Sequence, residues 1–491
     1  MRVLHRRSVS ATLAIVFAAT LAACGGGTSD TAESDGGPRD LAKIDCPLSA
    51  LPKSGPKVKI SLWYGNQQGE NKTIMEDIAK SYNASQDRVE VTASDQGQDY
   101  VSMLNKYTSA IQRDTIPNVM FSDSTHAQFL VDSGTIIPGG ACAAEGAVPV
   151  DKMLPVVKSF YTIDGTYIPG SVNMTATMMY YNRLSYEQAK LPDRAPGTFA
   201  ELRSDAEQIE AAEVPDMKWP MSMVPAPSFF GAFMTGIGEN MVNEDNGHAG
   251  HATEATFDTP EAIEILTQLQ AMYADGLIAK ISNTPGQIDQ YLNVAQGKSA
   301  MVMEGSAAAT TIEAFLGGGL TAKDIEEGGL TGLSQATTVV PGFGPMPGLR
   351  KPGQVPVTGG AYWVTNGGTD AQQAAAMDFI RYLNEMPQQT KWLIDGSYLS
   401  GNRDVEAQPE VKKFFSESVS GMALKVAADQ IAAVPANRPG PLVGPFDQYD
   451  KILQSMMESV LFNGEDPGKA VAKAEADVTA ALQSYNDENG F

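Results

Sequence analysis

The sequence predicts an α/β protein, on two observations. Strand and helix patterns alternate through two separate regions, and the last quarter of the chain is almost wholly helical. The first region opens at Lys57. There VKISLWYG alternates and then turns apolar, as a first strand does. NKTIMEDIAKSYNAS places Ile74, Ile78, Ala79 and Tyr82 at helical spacing, and Asn83 ends the run. RVEVTAS reads as a second strand, VSMLNKYTSAIQR as a second helix and PNVMFSD as a third strand. This β-α-β-α-β order implies parallel strands joined by helical crossovers.

The second region begins near Ser171. MTATMMYYNRLSYEQA reads as a strand running into a polar helix start. TFAELRSDAEQIEAA is helical, with Thr198 as its N-cap. In TPEAIEILTQLQAMYADG, Thr259 caps, Pro260 takes the first helical position and Gly276 falls just past the end. GKSAMVMEGSAAATTIEAF reads as strand, Gly-Ser turn and helix. Residues 317–358 are rich in Gly and Pro. GGAYWVTN is a further strand, and Asp370 to Asp487 is mostly helical.

The N-terminus has a different character. Arg2, Arg6 and Arg7 precede a charge-free apolar run from Ala11 to Ala23. This is the n-region, h-region and small-residue site of a secretory signal. The run is too short for a comfortable permanent membrane span. Leu21-Ala22-Ala23-Cys24 resembles the lipobox of bacterial lipoproteins, in which the cysteine thiolate takes a diacylglyceryl chain. Residues 1–23 are thus expected to be removed, and 24–55 to form a lipid-anchored flexible linker starting in the low-complexity GGGTSDTAESDGGPRD. Arg6-Arg7 leaves the general and the twin-arginine export routes both open.

Charge and cysteine content narrow the function. The full chain carries a net charge of −23; loss of the first 23 residues removes three arginines and no acid, giving −26. Nucleic acid and anionic lipid surfaces both need a cationic footprint and are excluded as electrostatic partners. Export places Cys46 and Cys142, the two remaining cysteines, in an oxidising compartment where an even pair usually bridges. No CxxC or Cys/His zinc spacing is present, and no metal or cofactor is expected. His248 and His251 form an HxxH pair, read as solvated loop histidines. No GxSxG or HExxH motif occurs.

Six dispersed segments together resemble the extracellular solute-binding proteins of bacterial ABC importers, in the family that binds carbohydrates and polyols. They are ISLWYG, SVNMTATMMYYNRLSY, APGTFAELRSDAEQI, AQGKSAMVMEGSAA, GGAYWVTN and DGSYLSGNRDV. The resemblance runs from about Lys57 to the C-terminus. It implies two lobes, each a mostly parallel sheet flanked by helices, joined by a multi-crossing hinge around a ligand cleft. The lobes are expected at 56–170 plus 313–366 and at 171–312 plus 367–491. It further implies a monomer that captures a small ligand, hands it to permease subunits, and is held at the outer face of the cell membrane. The glycerol-3-phosphate and glycerophosphodiester binders look similar in the YYN, GGAYW and C-terminal segments. Their phosphate wants an arginine, and GPLVGPFDQYDKI has none, which favours a neutral sugar or polyol; Arg438 is a substitute just upstream. An exported glycoside-acting enzyme is the rival of another class.

A sugar needs aromatic platforms and polar rims. The candidates are Trp63, Tyr64, Asp123, Thr175, Phe229, Phe230, Glu304, Gly359, Gly360, Tyr362, Tyr398 and Arg403. Trp63/Tyr64 and Tyr362/Trp363 are adjacent alternates, so one of each pair should face the cleft and the other the core. Phe229 or Phe230 is the expected stacking ring, with a buried anchor as the competing reading. Asp123 and Glu304 end strands and suit either hydroxyl binding or helix capping. Gly359 and Gly360 would let backbone N–H groups approach a ligand. Tyr398 and Arg403 match a Y-L-P-x-R segment, although Ser400-Gly401-Asn402 interrupts its spacing. Trp392 reads as core. Cys24→Ser is expected to yield unacylated protein that no longer partitions into detergent; an acylated, membrane-bound mutant would refute the lipobox reading.

Overall fold

The computed structural model describes residues 40–67, 69–97, 99–284, 289–316 and 339–491. The signal segment and Cys24 lie outside the described residues. Strands β1 (Val58–Tyr64), β2 (Val89–Asp95), β3 (Val119–Asp123) and β4 (Ile136–Ile137) come first. A small hairpin of β5 (Thr162–Ile163) and β6 (Thr166–Tyr167) follows, then β7 (Ser171–Thr175). After one residue, β8 (Thr177–Asn182) starts a different sheet with β9 (Trp219–Met223), β10 (Ile278–Lys280), β11 (Ser299–Gly305) and β12 (Pro341–Pro345). Strands β13 (Thr358–Thr365) and β14 (Leu399–Ser400) return to the first sheet. The first sheet has the order β14-β7-β13-β3-β1-β2, with β4 on β13, and the second β10-β9-β11-β8-β12.

Both sheets are mixed, not mostly parallel. β1 runs parallel to β2 and β3, as the β-α-β-α-β pattern requires. β13 is antiparallel to β3, β4 and β7, and β14 to β7. In the second sheet β9 is parallel to β10 and β11, while β8 is antiparallel to β11 and β12. The reason is the route of the chain. Helical crossovers make parallel pairs, whereas strands arriving from the other sheet enter from the opposite end.

The helix starts read from sequence hold. Thr198 and Thr259 each accept a backbone N–H three residues on, satisfying a donor the helix leaves free. The longer MTATMMYYN strand does not hold as one element. It is two strands in two sheets, broken at the fully buried Ala176. This also corrects the segment boundaries. β7, expected with the second half, belongs to the first sheet, and β12, expected with the first, belongs to the second. The helix Asp370–Leu383 packs on β1, and β14 pairs with β7, so 370–400 also accompanies the first sheet. The second sheet is flanked by the helices Phe199–Ala211, Pro227–Ile237 and Pro260–Ala274. Phe446–Asn463 and Pro467–Asn489 pack on the last of these.

Residues 40–55 are not a free linker. Two short 3-10 turns, Leu41–Lys43 and Pro47–Ala50, sit on the body, the second against the helix Asp370–Leu383. Leu41 and Leu51 are buried. Cys46 is disulfide-bonded to Cys142, 96 residues away in sequence, as expected. The covalent tie and two buried leucines outweigh the local polarity that suggested a linker. Replacing both cysteines by serine should lower stability by about 2–4 kcal/mol and expose this segment to protease. An unchanged melting temperature in oxidised wild type and double mutant would contradict that.

Candidate functional site

The chain passes between the sheets at β7–β8, β12–β13 and after β14. The first two passes meet at one place. Thr358 Oγ1 donates to the Thr175 carbonyl at 2.9 Å, and the backbone N–H of Ala176 donates to Ser306 Oγ at 3.2 Å. Ser306 returns its own N–H to the Ala176 carbonyl at 2.8 Å. Thr175 therefore sits in the connection between the sheets.

The carboxyl end of β3 leads towards the second half. Asp123 ends the strand and accepts from the Thr125 N–H at 2.9 Å and the Thr125 hydroxyl at 2.6 Å. The capping reading is thus realised, and the carboxylate still acts beyond its cap. Its charge disfavours ionisation of Tyr100, Tyr161 and Tyr398, after burial as the larger cause, and of Asp450. Gln67 hydrogen-bonds to two of these tyrosines, Tyr100 and Tyr398, its amide Nε2 donating to Tyr100 Oη at 3.2 Å. Next to Asp123, His126 is 2% exposed, with its ring edge-on to Tyr100 at 6.3 Å between centroids.

From the other half, Asp447 and Asp450 stand three residues apart on the helix Phe446–Asn463 and so share a face. Asp447 Oδ1 comes within 3.5 Å of His126 Nε2, across the junction. Asp450 is pushed up to about 7, by burial first and then by the charges of Asp123 and Asp447; Lys451 and His126 oppose this. Two halves therefore converge on Gln67, Tyr100, Asp123, His126 and Tyr398 from one side and Asp447 and Asp450 from the other. A second tie lies nearby in the chain. Asp132, its side chain 3% exposed, accepts from Tyr485 Oη at 2.8 Å and pairs with His251 Nε2 at 2.9 Å.

The remaining expected residues are dispersed. Tyr64 is buried, its hydroxyl donating to Glu76 Oε1 at 3.3 Å, which leaves Trp63 half-exposed on the opposite face of β1. Tyr362 and Trp363 are both buried, so neither of that pair has an open face. Tyr362 packs on Phe121, and Phe121 stacks on the core residue Trp392, against which Tyr398 sits edge-on. Phe229 and Phe230 are buried in the helix Pro227–Ile237, with Phe230 edge-on to Phe257, a placement that agrees with a buried anchor. Glu304 accepts from Gln290 Nε2 at 3.1 Å and from the Gly305 N–H at 2.7 Å.

The glycines serve packing. Gly359 has φ +129°, and a Cβ there would meet the Asn173 carbonyl oxygen at 2.3 Å; one on Gly360 would meet the Phe121 ring at 2.2 Å. Arg403 is exposed, donates to the Asp151 carbonyl at 3.0 Å and lies outside the cluster, because the extra residue in its segment turns it to the surface. Arg438 is exposed and lies over Gly238. The HxxH pair diverges. His248 Nε2 contacts the Gly440 carbonyl at 2.9 Å and its pKa is lowered by burial, whereas His251 turns to Asp132. Gln67, Tyr100, His126, Asp447 and Asp450 were not signalled by motif; only the strand-end position of β3 hinted at His126.

The pattern of bacterial extracellular solute-binding proteins matches residues 77–414, and the chain belongs to that family. The sn-glycerol-3-phosphate-binding periplasmic protein UgpB of Brucella abortus is 23% identical over 431 residues, covering 86% of this chain and 92% of that one. The crystal structure of UgpB from Mycobacterium tuberculosis in complex with glycerophosphocholine superposes with a TM-score of 0.68 at 15% identity, covering 89% of this chain and all of that one. The cyclic alpha-maltosyl-1,6-maltose binding protein from Arthrobacter globiformis gives a TM-score of 0.67 at 20% identity, over 87% of this chain and 100% of that one. The fold is accordingly the two-lobe binding-protein fold, and the family places the chain outside the cytoplasm.

Asp450 sets a pH dependence. Its folded pKa lies above the unfolded carboxylate value, so the stabilisation it gives is complete below about pH 4 and is lost as pH rises to about 7. Asp450→Asn should therefore gain on the wild type between pH 4 and 7, reaching roughly 2–4 kcal/mol and staying level above. Parallel melting curves of the two proteins across that range would contradict the assignment.

Proposed function

We propose that this chain is the substrate-binding lipoprotein of an ABC importer, tethered through Cys24, and that it delivers a hydroxyl-rich small ligand to the permease. The observation that carries the reading is the convergence of Asp123, His126 and Tyr398 from one lobe with Asp447 and Asp450 from the other. A ligand seated among them touches both lobes, and only the closed state offers both sets of contacts. Closure by hinge motion at Ala176 and Thr358 would then be the signal that the permease reads. The carboxylates accept hydroxyl protons, and Trp63, Tyr100 and Tyr398 offer aromatic surface to sugar C–H faces. The protein acts as a monomer in this scheme, and capture needs no chemical step.

Family membership favours binding over the glycoside-acting alternative. The relatives named for glycerol-3-phosphate keep a phosphate-bearing ligand in view. Against it, Arg403 and Arg438 are both exposed, Arg403 bound to the Asp151 carbonyl and Arg438 over Gly238, whereas a buried phosphate is best held by arginine. The test is a thermal-shift panel of mono-, di- and oligosaccharides, polyols, glycerol-3-phosphate and glycerophosphocholine, with solution scattering on each hit. A binding ligand should raise the melting temperature and reduce the radius of gyration. Tyr398→Ala should weaken binding by about 1–3 kcal/mol. A tight ligand that leaves the radius unchanged would refute closure, and turnover of a glycoside would refute capture.

A further inference from the structure

The cleft cluster has a charge that hydroxyl binding alone does not explain. Asp123, Asp447 and Asp450 lie close enough that the first two hold back ionisation of the third. Among the described residues no lysine or arginine comes within ion-pair distance of any of the three; the one basic group in contact with them is His126, against Asp447. Lys451, which follows Asp450 on the same helix, is exposed. Gathering like charges in a partly buried place is costly unless an opposite charge joins them.

Two further groups of the same cluster lack partners. Gln67 is 3% exposed, and its amide is fixed at Tyr100 by the Nε2 contact, yet its Oε1 is buried and accepts nothing. His126, 2% exposed, faces Asp447 through Nε2 and leaves Nδ1 buried without a partner. Buried polar atoms in native proteins are nearly always satisfied. The Gln67 amide is joined to the carboxylates by contacts through Tyr100 and His126, and its orphan oxygen is an acceptor waiting for a donor. The ring of Tyr100 borders this place, edge-on to His126 and held by Gln67, Tyr398 feels the charge of Asp123, and tyrosine faces attract cations. Acceptors in excess, anionic charge and aromatic surface together are the recognition chemistry of an organic cation.

We propose that the cleft selects a ligand bearing an ammonium group, primary or quaternary, seated among Asp123, Asp447 and Asp450 with Gln67 Oε1 and the two tyrosines around it. This rests on the capture reading above and names the ligand class for that site. A primary ammonium would donate to Gln67 Oε1 and the carboxylates. A quaternary one would rely on charge and on the tyrosine faces.

The experiment is isothermal titration of the mature protein at pH 7.5 with matched probes: glucosamine beside glucose, ethanolamine and choline beside glycerol, and glycerophosphocholine beside glycerol-3-phosphate. At least one ammonium-bearing member should bind ten-fold or more tightly than its partner and weaken as sodium chloride is raised. Better binding by glucosamine and ethanolamine points to a primary ammonium, and by choline and glycerophosphocholine to a quaternary one. Asp447→Asn should cut the preference at least five-fold while leaving the melting temperature within a few degrees. If Asp447→Asn fails to fold, Asp450→Asn, expected above to be the more stable protein at this pH, should cut the preference by a similar factor. Glucose, glycerol or glycerol-3-phosphate binding as tightly as its ammonium-bearing partner would overturn the proposal while leaving capture intact. Absence of binding by every probe would overturn it as well, and the wider sugar panel would then decide capture separately.

Discussion

The crossing at Ala176 is the constraint from which the rest follows. A single buried residue separates β7 in one sheet from β8 in the other. Ser306, from the end of β11, exchanges two hydrogen bonds with it, and Thr358, at the start of β13, bonds to the preceding carbonyl. Two polypeptide passes are thus held at one point. Gly359 is required there because β13 approaches β7 too closely for a side chain. Short, mutually bonded segments at this crossing hold the two sheets together. The crossing leaves the ends of β3 and of the helix Phe446–Asn463 facing each other.

What they bring together is mainly negative. In a chain with a net charge of −23 an acidic patch is unremarkable on the surface, where water screens it. Across a lobe junction it is different, since partial burial raises the cost of each carboxylate and couples them. Asp450 responds by holding its proton to about pH 7. His126, in contact with Asp447, partly offsets the cost, and Asp132 makes a separate tie through His251 and Tyr485. The junction is therefore polar and titratable, unlike the packed apolar interiors of the two lobes, and polar junctions open more readily than hydrophobic ones.

Reading the sequence recovered elements better than their assignment. β1, β2, β3 and the helices between them follow from alternation and helical periodicity, which are local. The division of MTATMMYYN into two strands left no local mark, since Thr175, Ala176 and Thr177 are acceptable in any strand. The aromatic pairs show the same limit. Alternation says that Tyr64 and Trp63 point opposite ways, and they do. For Tyr362 and Trp363 both faces of β13 are covered, so alternation cannot single out a ligand-facing ring. Residues 40–55 read as linker because composition registers polarity and not the disulfide that pins them.

By itself the sequence determined the α/β class, the exported character, the pairing of Cys46 with Cys142 and the family resemblance. Each depends on periodicity, composition or ordered motifs along the chain. Only the tertiary structure decided which strands share a sheet, that Arg403 lies outside the cluster, and that Phe229 and Phe230 are core. It alone joined Gln67 and Tyr100 to Asp447 and Asp450, residues some 350 to 380 positions apart in sequence. Such a cluster exists because segments attached to two different sheets meet in space. No property of either segment taken alone, neither its polarity nor its spacing, encodes which surface it will face.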